Sequence, residues 1–199
     1  MSQALKDREL ETRERILEQM LIHVHRYGRK RTRLVSLAED LGMSHANIYR
    51  HFKNKTEILD AVVLDWLRSA DSLIDEAAGK EQSAAKRCTA IVIALHKFLR
   101  WKLDNEPGAI EAFRHAFADH PDAVASHLTG LKFKIGVCIV EYGETIEETE
   151  QGTALRIDLL TTILEPFLNP VQIYERASEN DEEQLQMLMA QFFTSEIAK

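Results

Sequence analysis

Leu34-Val35-Ser36-Leu37-Ala38-Glu39-Asp40-Leu41-Gly42-Met43-Ser44-His45-Ala46-Asn47-Ile48-Tyr49 is the stretch on which the reading of this chain turns. Leu34, Leu37, Ala38 and Leu41 fall at helical spacing and predict a short helix, capped by Thr32 and closed by Gly42. Ser44 caps the next helix, which carries Ile48 and Phe52 on its inner face. Two short helices joined so tightly must cross closely, so a small residue, Ala38, stands where they touch. Gly42 takes the turn, where a positive φ is expected. This is the grammar of a helix-turn-helix: Ile48 pins the second helix, and its N-terminal turn is left free to enter a major groove. An ordinary helical hairpin has similar apolar spacing. The continuation, Tyr49-Arg50-His51-Phe52-Lys53-Asn54-Lys55, argues against it.

Outward from this element the periodicity is helical throughout, with no alternating strand run and no internal repeat. Ile16, Leu17, Met20, Leu21 and Val24 precede it on a helix stopped by Gly28 after Tyr27. Asn54 with Glu57 three residues on forms a capping-box-like start. It opens a long helix through Ile58, Leu59, Val62, Val63, Trp66, Leu67, Leu73 and Ile74. A fifth helix carries Cys88, Ile91, Val92, Leu95, Phe98 and Leu99. Pro107 opens a sixth with Ile110, Phe113 and Phe117, and a seventh follows Pro121 through Val124, Leu128, Leu131, Ile135, Ile139 and Tyr142. The eighth runs through Leu155, Ile157, Leu159, Leu160, Ile163, Leu164 and Phe167, and the ninth through Leu185, Leu188, Met189, Phe192 and Phe193. The expected fold is all-α, with about nine helices in two parts: residues 1–54, a helix-turn-helix domain, and residues 55–199, a larger helical domain.

The 199 residues, 45% hydrophobic and 29% charged, suffice for a buried core without staples. Two distant cysteines, Cys88 and Cys138, provide neither a disulfide framework nor a zinc cage; they read as small core residues in a reducing cytoplasm. No run reaches the ~18 apolar residues of a membrane span, and the charged N-terminus lacks the apolar centre of a signal peptide, so a cytoplasmic location with no membrane partner is expected. The net charge of −7 is unevenly placed: up to Thr56 the chain carries a formal +5, and the remainder carries −12. A basic head on an acidic body points to a polyanion as the partner of the head.

From about Thr12 to Trp66 the chain resembles the DNA-binding domain of the tetracycline-repressor-like (TetR) regulator family. The resemblance is carried by Arg15-Ile16-Leu17, Gly28, Leu37-Ala38, Leu41-Gly42, Ser44 through Phe52, and Lys55. Where that family usually has an aromatic after the first glycine, Arg29-Lys30-Arg31 stands here, and its frequent Lys-Gly pair early in the recognition helix is His45-Ala46. The position of the third helix makes His45, Asn47 and Tyr49 candidates for base readout, with Ala46 small enough for close approach to the groove. Ser44, Tyr49 and His51 resemble the family's groove and phosphate contacts, and Lys55 its phosphate-binding lysine at the next helix start. Thr32 and Arg33, opening the second helix, are further phosphate candidates.

The resemblance also implies a homodimer on a palindromic operator in double-stranded DNA. The eighth and ninth helices are the expected interface, through Leu155, Leu159, Leu160, Ile163, Phe167, Leu185, Leu188, Met189 and Phe192. It implies a small-molecule effector cavity among the middle helices. The candidate lining is Trp66, Phe98, Trp101, Phe113, Phe117 and Tyr142, with His96 and His115 as polar handles. His115, Asp119 and His120 lack a fourth ligand, so no metal is expected, and no cofactor. Glu147-Glu148 and Glu182-Glu183 read as surface carboxylates. No P-loop, dinucleotide fingerprint, HExxH or nucleophile elbow is present, so an enzyme is not expected. The expectation is a ligand-responsive DNA-binding repressor; the alternatives are an activator or protein-binding adaptor of the same fold, and an all-helical enzyme with an unrecognised site.

Overall fold

The computed structural model describes residues 3–106, 108–119, 121–176 and 181–194. Pro107, expected to open a helix, and His120, weighed as a metal ligand, lie outside them. Among the described residues there are ten helices and no strand. They are α1 (Gln3–Tyr27), α2 (Leu34–Asp40), α3 (His45–His51), α4 (Lys55–Gly79), α5 (Ala84–Asn105), α6 (Ala109–Asp119), α7 (Pro121–Thr145), α8 (Glu150–Leu168), α9 (Pro170–Arg176) and α10 (Asp181–Phe192). The all-α expectation holds, with one more helix than the periodicity gives. The addition is α9. The α8 helix ends at Asn169, whose backbone leaves the helical region, and whose side-chain oxygen accepts from the Val171 amide at 3.0 Å. Pro170 then opens α9 at the one helical position where its missing N–H costs nothing.

The chain divides into two compact units. The first comprises Met1–Trp66 and Leu103–Pro121, and so contains α1 to α3, the first half of α4, and α6. Its core joins Ile16, Met20 and Val24, one turn apart on α1, with Leu37, Ala38, Ile48, Phe52, Ile58 and Leu59. Ala38 and Ile48 are both buried, as the close crossing of α2 and α3 requires. Gly42 takes the turn at φ 64°. Gly108, just ahead of α6, lies at φ 79°, and its missing side chain lets the backbone meet Leu21 of α1.

Caps bound these short helices. Ser44 Oγ accepts from the Asn47 amide at 3.2 Å, and Asn54 Oδ1 from the Glu57 amide at 2.9 Å. Glu57 closes the second cap through the Lys53 amide rather than that of Asn54. At α2 the N-cap is Arg33, without a side-chain cap bond; Thr32 does not cap, because its buried hydroxyl donates to the Gly28 carbonyl at 3.0 Å.

The second unit comprises Leu67–Lys102 and Asp122–Lys199. Its core draws on Ile74, Cys88, Ile91, Val92 and Leu95, on Ile135 and Ile139 of α7, on Leu160 and Leu164 of α8, and on Leu185 and Met189 of α10. Both cysteines are buried thiols, and burial pushes Cys88 far above the ordinary thiol range. Glu148, expected at the surface, is buried instead. It meets the fully buried Arg156 guanidinium at 2.8 Å, and Arg156 also donates to the Phe192 carbonyl at 3.1 Å. A buried charge requires such a partner. Gly143 and Gly152 leave the room that Glu148 occupies.

Candidate nucleic-acid interface

The α3 helix buries one residue fully and leaves the others exposed or half-buried. Ile48 is fully buried, while Ala46 and Arg50 are exposed, Tyr49 is 48% exposed, and His45, Asn47 and His51 are half-buried. The Ser44 cap fixes where the helix begins, and the side chains of its first turn leave from that point. His45 meets Tyr49 edge-to-face, ring centroids 4.7 Å apart, so the two form one aromatic step on the outer face. Asn47 reaches Met43 Sδ at 3.9 Å. Ser44, His45, Ala46, Asn47 and Tyr49 are thus brought together at one end of an anchored helix, with donors, acceptors and ring faces directed outward. Such a surface can hydrogen-bond base edges in a major groove.

The phosphate candidates separate. Arg33 is exposed beside α2. Thr32 is buried, its hydroxyl already bonded. Lys55 donates its ammonium to the Arg29 carbonyl at 2.6 Å and the Thr32 carbonyl at 3.2 Å, so it ties the start of α4 to the turn between α1 and α2. Burial first, and the Arg29 charge second, lower its pKa from the usual lysine value. His51 lines a cleft with Glu9, Leu10, Arg13 and Arg50. Arg13 lies over the Phe52 ring at 4.2 Å and donates to the His51 carbonyl at 3.2 Å. Arg13 and Arg50 were not singled out from sequence, since nothing local marks an α1 arginine as a neighbour of the end of α3.

The eight effector candidates divide equally between the units. In the first, the Trp66 and Phe113 rings meet with centroids 4.8 Å apart and planes tilted by 46°, Phe117 is exposed, and buried His115 is taken up by charged partners: Asp60 at 3.1 Å, Asp119 at 2.6 Å and Arg29 at 2.8 Å. In the second, buried His96 donates Nδ1–H to the Phe167 carbonyl at 2.8 Å. The Tyr142 hydroxyl donates to the Phe193 carbonyl, its ring packed against Phe193. Phe98 and Trp101 flank an open groove of about 520 Å³ floored by Ala77, Ala90 and Ala94.

Of the interface candidates, Leu160, Phe167, Leu185, Met189 and Phe192 are buried within their own unit. Leu155 (52%) and Leu159 (40%) are exposed, and Ile163 and Leu188 are half-buried. Met187, at 68% exposure on α10, was not singled out. Among the described residues no cluster of His, Cys, Asp and Glu could hold a metal ion, and no single helix is long and apolar enough to cross a membrane.

An α2–turn–α3 element with a buried Ala38–Ile48 crossing and an outward first turn defines a helix-turn-helix protein of all-α fold. Residues 25–62 match the model of the bacterial regulatory proteins of the tetR family. Solved structures agree in fold. A TetR/AcrR-family transcriptional regulator from Thermobifida fusca superposes with a TM-score of 0.68 at 17% identity, over 93% of this chain and 98% of that one. PfmR, a TetR-family transcriptional regulator from Thermus thermophilus, gives 0.65 at 18% identity, over 90% and 97%. The transcriptional regulator FadR from Bacillus subtilis, solved with stearoyl-CoA, gives 0.64 at 14% identity, over 91% and 97%. No curated protein matches the sequence. The chain is thus similar to the tetR-family model over residues 25–62 and shares its fold with these solved structures.

Proposed function

We propose that this chain is a sequence-specific DNA-binding transcriptional regulator: a ligand-responsive repressor acting as a homodimer on a palindromic operator. The observation that carries the reading is the outer side of α3, where Tyr49 is exposed and His45 and Asn47 are half-buried beside it, while Ser44 and Ile48 hold the helix in place. Residues 1–54 supply the DNA-binding part, and residues 55–199 dimerise and receive the effector. A lone helix-turn-helix reads few base pairs, so two copies related by a two-fold axis are required. Leu155, Leu159, Ile163 and Leu188 are the interface residues whose surface is not consumed within the chain's own unit.

A ligand acts by preferring one separation of the two recognition helices, transmitted along α4, one unbroken helix from Lys55 to Gly79. Stearoyl-CoA in FadR supports an acyl-type or other small apolar molecule as the effector class. Selection of bound duplexes from a random pool tests the reading. Recovery of an inverted repeat supports it; recovery of no preferred sequence refutes it.

A further inference from the structure

The turn leaving α1 carries three consecutive cations, Arg29, Lys30 and Arg31, all exposed and all close in sequence to the helix-turn-helix. Arg29 differs from the other two in having an anion bound. Its Nη1 donates to Asp119 Oδ2 at 2.8 Å, across 90 residues of sequence, and lies 2.8 Å from Nδ1 of His115. Both side chains are more than two-fifths exposed, and an exposed pair of this kind is worth little unless something else orders it.

Here something does. Asp119 is the last residue of α6, and its carboxylate also lies 2.6 Å from Nδ1 of His115, a ring that is 1% exposed. The other nitrogen of that ring faces Asp60 Oδ1 of α4 at 3.1 Å. A buried ring thus holds the carboxylate in place, and Lys55 holds the backbone of the turn through the Arg29 and Thr32 carbonyls. Arg29 first and His115 second lower the Asp119 pKa from the usual aspartate value.

A guanidinium N–H that donates to a carboxylate oxygen can donate instead to a phosphate oxygen, since both accept charge-assisted hydrogen bonds. We infer that Arg29 is a DNA-phosphate contact held in reserve. Asp119 occupies the guanidinium as an internal phosphate substitute, and displacement of the end of α6 releases Arg29 to the operator backbone. This rests on the DNA-binding reading above.

The test is the salt dependence of binding to a duplex recovered by selection. Each phosphate neutralised steepens the slope of log K against log salt by about 0.9. Asp119→Asn should therefore bind several-fold more tightly at about 0.1 M salt, with a slope steeper by about 0.9 per protomer, or about 1.8 for a dimer. Asp119→Glu should behave as the parent. In the double variant Asp119→Asn/Arg29→Gln the slope should return to the parent value. A general gain from deleting a negative charge would survive in the double variant, and that result overturns the inference, as does an unchanged slope in Asp119→Asn. As a second readout on the unaltered protein, the Asp119 carboxyl carbon resonance should keep its position when operator is added, because the guanidinium stays on Asp119 until the end of α6 is displaced; a resonance that moves as far as it does in Arg29→Gln contradicts the proposal. Absence of duplex binding by every form, the parent included, refutes DNA binding itself and is thereby distinguished from failure of the reserve contact.

Discussion

Gly108 shows how one missing side chain positions an element. A Cβ there would stand 2.5 Å from the Leu21 carbonyl oxygen, a backbone atom that cannot swing away, and the φ of +79° is one that L side chains rarely adopt. The left-handed conformation alone costs about 1–2 kcal/mol, so Gly108→Ala should lower stability by at least that much in chemical denaturation; an unchanged midpoint would contradict the packing described for α6 on α1. Asp119 allows a pH prediction. With its folded pKa lowered by Arg29 and His115, its pairing stabilises above the ordinary aspartate value of about 3.9. That contribution disappears as pH falls through the lowered value. NMR titration should place the Asp119 midpoint below about 3.9 and return it toward that value in Arg29→Ala; equal midpoints would remove Arg29 as the cause. Among single residues, those with local jobs were legible in the sequence: Ser44 as cap, Ile48 as anchor, Gly42 in the turn. Glu148 was not, because its burial depends on Arg156 and on the end of α10. The Arg29–Asp119 pair spans 90 residues and leaves no mark in either neighbourhood.

At the scale of the element, periodicity located α2, and caps located α3 and the start of α4, because these boundaries are set by residues within four positions of them. The α9 helix leaves little trace in the sequence although Asn169-Pro170 is a start signal, because seven residues are too few to show a period. The α8 helix shows where periodicity becomes ambiguous. Leu155, Leu159, Leu160 and Ile163 all read as one apolar face, yet Leu160 is fully buried while Leu155 and Leu159 are exposed. One sequence pattern therefore covers two faces, one packed within the unit and one exposed. The proposed dimer uses the second face, so Leu155→Glu combined with Leu159→Glu should give folded monomers by sedimentation, with operator affinity lost. A double variant that stays dimeric would place the interface elsewhere. Leu160 and Phe192 are poor choices for this test, since changing them damages the unit's own core.

Over the whole chain, the sequence showed the all-α class, the basic head and the helix-turn-helix, and the family match falls on the same segment, residues 25–62. Less was legible beyond it. Apolar and aromatic residues of a helical core look alike whether they pack or line a cavity, so Trp66 and Phe113 prove to pack against each other and His96 to bond a carbonyl. That α6 joins the unit containing α1 to α3 could not be read from any local pattern, because its ties run through Gly108, His115 and Asp119 to residues 60 and below. The central claim is that the outward first turn of α3 reads DNA sequence in two copies. The most direct measurement is duplex selection from a random pool carried out side by side with the parent protein and Asn47→Ala. The parent should recover an inverted repeat, and the variant should lose preference at the same position in both halves, by about 1–3 kcal/mol in a panel of altered sites. Identical preferences for the two proteins, or a uniform weakening across the panel, would contradict the account.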